Sequence, residues 1–162
     1  MGRLPRSGSV QVTTTASPDQ VWPLLADITR AGDWSHETRG GEWLDGATSA
    51  VPGARFRGRN ANGRARWTRV CEILSADQPR AITWRTVPKS VYRDSTIWTY
   101  ELEPVDGGTR ITQRFEVVKL GPVSDRLFYA AIPAHRDRTE ALLGDLRKLA
   151  EAAERSTSVE AV

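Results

Sequence analysis

The sequence predicts an α+β domain in which a curved antiparallel sheet of about seven strands wraps around a long C-terminal helix. Two observations carry this prediction. In the C-terminal segment, apolar residues recur at three- and four-residue steps and therefore share one helix face: Leu142, Leu146, Leu149 and Ala153. The longer segment before it alternates polar and apolar residues between turn signals, as antiparallel strands do. A helix with one apolar stripe needs a broad apolar surface, which such a sheet provides.

The opposite side of the predicted C-terminal helix is charged. Its members are Arg138, Arg147, Lys148, Glu151 and Glu154. We therefore expect these side chains to point to solvent. Ser124 with Asp125 can cap the opening of this segment, and Pro133 predicts a kink or a break ahead of the longer arm.

The N-terminal part predicts a strand followed by one or two short helices. Residues 8–16 alternate and are rich in Val and Thr, which is typical of a strand. Ser17 is a suitable N-cap and Pro18 suits the first helical position. One apolar stripe follows: Val21, Trp22, Leu25 and Ile28. Gly32 ends this helix or a short second one, which leaves residues 33–37 on a loop.

Turn signals divide the middle of the chain into antiparallel strands. The predicted strands are 42–44, 54–60, 66–75, 80–87, 94–104 and 109–119. Residues 60–63 end in Asn-Gly, a pair that suits the positive φ of a hairpin turn. We expect one domain, residues 8–154, with flexible tails at 1–7 and 155–162.

Composition narrows the class of protein. A chain of 162 residues with a net charge of +3 is long enough for one hydrophobic core. No run approaches the roughly 18 apolar residues of a membrane span, and residues 1–9 lack the apolar centre of a signal peptide. Cys71 is the only cysteine. A single cysteine excludes an internal disulfide, so we expect a reducing compartment, the cytoplasm.

Six arginines cluster across one predicted hairpin: Arg55, Arg57, Arg59, Arg64, Arg66 and Arg69. A basic patch of this kind can face phosphates or nucleic acid. The alternation of the first three with Ala54, Phe56 and Gly58 instead favours a solvated outer sheet face. No recognition motif accompanies the charge, so we expect no nucleic-acid partner.

Strand alternation predicts an inner sheet face that is rich in aromatic side chains. Its apolar members include Phe56, Trp67, Cys71, Ile73, Ile82, Trp84, Trp98, Tyr100, Leu102, Ile111, Phe115 and Val117. The same alternation brings Arg69 and Gln113 inward, and Thr86 with them. These side chains either fill a solid core or, because buried polar groups need partners, line a cavity; we favour the cavity.

The helix-opening segment carries a family pattern. It reads Ser17-Pro18, Val21-Trp22, Leu25-Ala26-Asp27-Ile28 and Gly32-Asp33-Trp34-Ser35, and the pattern continues at 43–46, 53–58, Asn60, Trp67, 98–104 and 107–109. In these motifs the chain resembles the START/SRPBCC superfamily, whose helix-grip fold is shared with the birch-pollen allergen group. More narrowly, residues 8–153 resemble the polyketide cyclase/dehydrase-like proteins common in actinobacteria.

The resemblance implies a deep hydrophobic cavity between the sheet and the C-terminal helix. We expect its ligand-binding residues to be Trp34, Trp43, Phe56, Trp67, Arg69, Trp84, Trp98, Tyr100, Gln113 and Phe115. In the family's aromatase/cyclases, an inward arginine and a tyrosine hold and polarise ketones. Arg69 is the inward arginine at a comparable strand position, unless the register places Cys71 there. Where those cyclases carry their tyrosine, this chain reads Ser35-His36-Glu37-Thr38.

Two functions of different classes stay open, with a third behind them. The first is a non-catalytic binder of a small hydrophobic molecule, aromatic and polyketide-like or lipid-like. The second is a cyclase/dehydratase in which Arg69 polarises a carbonyl and His36, Glu37 or Tyr100 moves protons. The third is an interaction module with a collapsed cavity, as in relatives of toxin–antitoxin type. The chain is expected to be a monomer or a homodimer.

No cofactor or metal is implied. Two histidines and one cysteine lie far apart and lack the spacing of metal ligands, and phosphate-binding and dinucleotide fingerprints are absent. His135 can share the inward stripe of the C-terminal helix, where a partly buried structural role is expected. Cys71 is interpreted as a small core residue.

Overall fold

The computed structural model describes residues 4–90, 93–121, 123–132 and 135–160, and within them seven strands form one antiparallel sheet. The strands are β1 (Ser7–Thr14), β2 (Thr38–Trp43), β3 (Arg55–Asn62), β4 (Ala65–Asp77), β5 (Ala81–Thr86), β6 (Ser95–Val105) and β7 (Gly108–Lys119). The helices are α1 (Pro18–Ala26), a 3-10 helix (Ile28–Asp33), α2 (Val123–Ala131) and α3 (Thr139–Glu160). The sheet order is β1-β7-β6-β5-β4-β3-β2. The predicted α+β helix-grip architecture is confirmed.

The helix α1 begins where the sequence predicted. Pro18 occupies its first position, and the backbone N–H of Ser17 donates to Gln20 Oε1 at 2.8 Å. The predicted apolar stripe is buried together with Leu24. The 3-10 helix follows directly and packs against β2. His36 and Glu37 therefore lie on the short loop between this helix and β2.

The strands follow the predicted alternation, with shifts at their ends. β2 is longer than predicted and begins at Thr38. The β3–β4 hairpin turns later than predicted, because Asn60 and Asn62 still pair with Trp67 and Ala65 of β4. The turn uses Gly63, whose φ of +56° lies in the left-handed region that glycine accepts readily.

The C-terminal segment forms two helices with a break between them. The break lies between Ala131 and Thr139, and the predicted kink residue, Pro133, falls outside the described residues. The predicted stripe of α3 is at most 3 % exposed, and α3 packs against β1, β7 and α1. The helix continues to Glu160, past the predicted domain end at residue 154. No described helix has the length and apolarity required to cross a membrane.

One expectation about the surface is wrong and one is confirmed. Arg138, predicted to point to solvent, is only 8 % exposed, because it lies one turn before Leu142 on the buried side. The predicted outer arginines are exposed. Arg55 pairs with Glu72 at 3.0 Å, and Arg57 pairs with Glu42 at 2.8 Å.

Candidate ligand cavity

A cavity of about 150 Å³ lies between the inner face of the sheet and the C-terminal helices. Its walls come from β2 to β7, from the loop before β2, from α1 and the 3-10 helix, and from α2, α3 and the segment that leads into α3. Its aromatic lining residues are Trp34, Phe56, Trp67, Trp84, Trp98, Tyr100, Phe128 and Tyr129. An engineered apolar cavity of this volume in another protein holds one benzene molecule, so there is room for a small ring system.

Strand alternation explains which side chains reach the cavity. On β4, Arg69 and Cys71 both face inward and both line it, so the register does not force a choice between them. Burial raises the pKa of the Cys71 thiol to about 12, so this cysteine is an inert wall residue. Tyr100 of β6 lies opposite Gln113 of β7 and both line the cavity.

Two predicted ligand-binding residues lie one layer behind the wall. Trp43 packs edge-to-face on Phe56, with ring centroids 5.9 Å apart. Phe115 packs on Trp98 at 5.7 Å. Neither Trp43 nor Phe115 lines the cavity; the ring that each packs against, Phe56 or Trp98, lines it instead. They support the wall and do not form it.

Arg69 is held by Asp94 at one corner of the cavity. Its Nη1 donates to both carboxylate oxygens of Asp94 at 2.8 Å, and its Nη2 donates to the backbone carbonyl of the same residue at 3.0 Å. Both side chains are largely buried, which makes this a strong charge-assisted pair. Only Nε of Arg69 is buried without a partner among the described residues. Asp94 thus neutralises Arg69, the residue that the sequence analysis predicted to polarise a ligand carbonyl.

Tyr100 and Gln113 form a buried polar pair in the aromatic wall. Gln113 Nε2 donates to the Tyr100 hydroxyl oxygen at 2.6 Å, while Gln113 Oε1 has no described partner. Burial raises the pKa of Tyr100 well above its ordinary value, and the charge of Asp145 adds to the effect. Tyr100 is therefore a neutral hydroxyl near pH 7. Trp84 stacks on its ring at 5.1 Å.

His36 is anchored to α3 by a buried carboxylate. Asp145, 3 % exposed, accepts from the His36 backbone N–H at 2.7 Å and lies 2.8 Å from Nδ1 of the same residue. The hydrogen bond to Asp145 raises the pKa of His36 above 6.5, against the opposing effect of burial. A carboxylate that accepts from Nδ1–H leaves Nε2 as the nitrogen for proton transfer.

Glu37 lines the cavity beside His36. Ser35 Oγ accepts from the Glu37 N–H at 3.3 Å and from the Thr38 N–H at 3.0 Å, which fixes the loop. Burial raises the pKa of Glu37, while Arg138 and His36 oppose the rise. Its Oε1 is buried with no partner among the described residues. The protonated carboxyl is therefore favoured here more than at the surface.

Arg138 is a second arginine in the cavity, and its surroundings are aromatic. Its guanidinium carbon lies 4.8 Å from the ring centroid of Phe115, 5.4 Å from that of Tyr129 and 5.5 Å from that of Trp98. Its Nε is buried and has no described partner. Burial lowers the pKa of Arg138, and the Tyr129 hydroxyl and Glu37 oppose this.

The contacts of His135 with Tyr129 agree with the structural role that we expect from the sequence. Its ring stacks on Tyr129 with centroids 4.4 Å apart, and its Nδ1 lies 2.9 Å from the Tyr129 carbonyl oxygen. Burial lowers the pKa of His135 to about 3, with the nearby charge of Arg138 acting in the same direction. His135 therefore stays neutral at pH 7, which suits a buried ring that stacks on Tyr129.

Sequence reasoning missed Asp94, Arg138 and Asp145, although signals for them exist. Asp145 falls inside the leucine stripe of α3, three residues after Leu142, where a carboxylate requires a partner. Asp94 precedes Trp98 by four residues and so shares its inward strand face. In each case an ionisable residue interrupts a buried periodic pattern.

The comparisons with known proteins agree with this architecture. The family model described as polyketide cyclase / dehydrase and lipid transport matches residues 6–151. The chain belongs to this family. Such membership supports binding of a small hydrophobic ligand or a polyketide cyclase-like role. Among curated proteins, none matches this chain.

Solved structures of similar fold include three with relevant descriptions. A Polyketide_cyc-like protein from Corynebacterium glutamicum is 27 % identical, with 99 % of this chain and 95 % of that one covered and a TM-score of 0.58. The Zhui aromatase/cyclase from Streptomyces sp. R1128 is 20 % identical, with 94 % and 95 % covered and a TM-score of 0.70. The di-domain aromatase/cyclase StfQ of the steffimycin pathway is 11 % identical, with 96 % of this chain and 52 % of that one covered and a TM-score of 0.73.

Proposed function

We propose that this chain binds a small aromatic molecule in the cavity between the sheet and the C-terminal helices. One observation carries the proposal. Every buried side-chain polar atom that lacks a partner in the described part of the chain belongs to a residue lining this cavity: Glu37, Arg69, Gln113 and Arg138. Each such atom costs roughly 1–3 kcal/mol when left unpaired. A bound molecule with a few polar groups would pair with them while its rings contact the walls.

The shape of the cavity supports an aromatic ligand over a long-chain lipid. Its volume of about 150 Å³ accommodates a small ring system and far less than a long acyl chain. Trp84 and Tyr100 stack with a centroid distance of 5.1 Å, and Trp34 meets Tyr100 edge-to-face at 5.9 Å. Flat rings in these orientations offer both faces and edges for contact with a further aromatic ring.

A glycine on the cavity wall provides a direct test of binding. Gly58 lies on the inner face of β3, and a Cβ added there meets no atom closer than 3.8 Å. Gly58→Leu should therefore fold and fill the cavity. Gly144→Leu is the matched control, because Gly144 of α3 does not line the cavity and an added Cβ meets nothing within 4 Å.

The measurement is calorimetric and fluorescence titration with 2-acetonaphthone, a neutral two-ring ketone. Wild type and Gly144→Leu should bind it, with quenching of tryptophan emission, and Gly58→Leu should bind at least about tenfold more weakly, as expected when a side chain occupies the ring's space. Equal binding by a folded Gly58→Leu would refute the location. Failure of wild type to bind small aromatic ketones would refute the function.

The pairing of His36 with Asp145 favours a second candidate, a cofactor-free dehydratase or cyclase. In this reaction His36 Nε2 removes a proton from the carbon between a ketone and a carbinol. The carbon–oxygen bond of the carbinol then breaks, and the protonated carboxyl of Glu37 donates its proton to the departing hydroxide. The products are an α,β-unsaturated ketone and one water molecule. The anchoring of His36 and the raised pKa of Glu37 support these roles.

Turnover separates the enzyme from the binder. With 3-hydroxy-1-(naphthalen-2-yl)butan-1-one, an enzyme would release the conjugated enone, which is detected by its absorbance and by the loss of one water in the mass spectrum. His36→Asn and Glu37→Gln would each abolish turnover without abolishing binding. If wild type binds this hydroxyketone and forms no enone, the dehydration is excluded and the binding function remains.

A further inference from the structure

The two arginines of the cavity differ in what they already bind. Asp94 occupies both Nη groups of Arg69. Arg138 is 8 % exposed and forms no ion pair with any described residue. A buried cation without an anionic partner is costly, since its lost hydration is not replaced. The cavity therefore has one neutralised arginine and one that forms no ion pair within the described part of the chain.

The surroundings of Arg138 define the direction from which a partner can approach. Rings of Trp98, Phe115 and Tyr129 lie 4.8–5.5 Å from its guanidinium carbon. Aromatic rings at this distance stabilise a cation through their electron-rich faces but accept none of its in-plane N–H groups well. Nε–H, which lies on the edge of the guanidinium plane, is buried and has no partner among the residues that the structure describes.

Glu37 forms no close ion pair with Arg138, although the charges of the two groups act on each other. No oxygen of Glu37 lies within 4.0 Å of a basic nitrogen among the described residues, and its Oε1 is unpartnered. Burial is the largest influence on this carboxyl and favours its protonated form, although Arg138 acts in the opposite direction. A protonated Glu37 donates a hydrogen bond, as Arg138 does. Both groups would then suit the same acceptor.

We infer that Arg138 is the anion-recognition residue of the cavity and that the ligand is an aromatic carboxylate. The inference rests on the proposed binding function and names the ligand class for the same site. A carboxylate matches the planar guanidinium because its two oxygens accept two parallel N–H groups. The ring system of the ligand then extends along the wall formed by Trp98, Trp84 and Tyr100.

The test compares naphthalene-2-carboxylate with naphthalene-2-carboxamide, which share shape and differ in charge. Titration calorimetry at pH 7 should show that wild type binds the carboxylate about tenfold or more tightly, the range expected for a charge-assisted hydrogen bond. Arg138→Gln should remove this preference, because it lowers the affinity for the carboxylate more than the affinity for the carboxamide. Arg147→Gln, the same substitution on the exposed side of α3, should behave as wild type.

The outcomes are distinguishable. Equal binding of both naphthalenes by wild type, or an undiminished carboxylate preference in a folded Arg138→Gln, overturns the role of Arg138 while the binding function stands. Binding of neither probe by wild type, together with no binding of 2-acetonaphthone, overturns the binding function and this inference with it. If Arg138→Gln does not fold, Arg138→Lys decides: a weaker but persistent preference supports the inference, and a lost or unchanged one contradicts it.

Discussion

Two corners of the same cavity hold the same residue type in opposite electrostatic conditions. At the Arg69 corner, a carboxylate and a backbone carbonyl of Asp94 satisfy the guanidinium at 2.8–3.0 Å. At the Arg138 corner, aromatic rings surround the guanidinium, and Oε1 of the half-buried Glu37 is buried without a partner among the described residues. The first guanidinium is neutralised within the protein, although its Nε has no partner among the described residues. The second is the one to which we assign a ligand.

The difference shows why an inward arginine does not by itself indicate a binding role. An arginine paired with a buried carboxylate contributes mainly to stability and to the geometry of the strands that carry it. An arginine that contacts aromatic faces and a neutral tyrosine hydroxyl, as Arg138 does, and that forms no ion pair among the described residues keeps donors for a ligand. We therefore propose a structural role for Arg69 and a recognition role for Arg138, and four substitutions test this difference.

The largest expected effect is at the complete corner. Arg69→Met should lower the free energy of unfolding by about 3–5 kcal/mol, because it leaves Asp94 partly buried without its cation. Urea denaturation followed by circular dichroism measures the loss. Arg110→Met, which breaks an exposed pair with Glu103, is the control and should cost about 0–1 kcal/mol. Similar small losses of stability in both variants would show that the Arg69–Asp94 pair contributes no more than an exposed ion pair.

The next effect concerns the anchor beside the incomplete corner. His36→Gln should cost roughly 1.5–3 kcal/mol near pH 6, since it removes a charged hydrogen bond to buried Asp145. The pKa of His36 is raised, so this stabilisation is fully present below pH 6.5 and is lost as the pH rises through the folded-state value. Urea unfolding of wild type and His36→Gln from pH 5.5 to pH 9 measures the difference in their free energies of unfolding. A difference that widens as the pH rises would contradict the proposed His36–Asp145 interaction.

A smaller effect of opposite sign is expected at Glu37. Because burial raises the pKa of Glu37, wild type loses stability as the pH rises above the ordinary value of 4.5 towards the folded-state value. Glu37→Gln carries no such group and should be more stable than wild type at pH 7, with no advantage at pH 4. Thermal unfolding at the two pH values makes the comparison. Destabilisation by Glu37→Gln at pH 7 would mean that Glu37 is the working counterion of Arg138.

The smallest effect is predicted at Arg138 itself. Arg138→Met should change the free energy of unfolding by about 1 kcal/mol or less, since contacts with aromatic rings are lost while no ion pair among the described residues is broken. Urea denaturation beside Arg69→Met provides the direct comparison. A loss as large as that of Arg69→Met would show that Arg138 already has a full partner within the protein.

Sequence reasoning predicted the framework of the site better than its chemistry. Period-two alternation correctly placed Tyr100, Gln113 and Arg69 on the inner face, because each strand has only two faces to choose from. Alternation does not distinguish side chains that line the cavity from side chains that pack behind them. It therefore predicts Trp43 as a ligand-binding residue, although Trp43 packs behind Phe56. Which of two inward rings reaches a cavity depends on packing across strands.

Periodicity, turn residues and motifs are local properties of the chain, and for that reason they were sufficient to predict the sheet, the apolar helix stripe and the family. Which charged side chains meet depends on how the chain folds. Asp145 reaches His36 across 109 positions, and Asp94 reaches Arg69 across 25. Coulomb attraction and hydrogen bonding act over a few ångströms in space, whatever the separation along the chain. For that reason the distinction between Arg69 and Arg138 exists only in the folded protein.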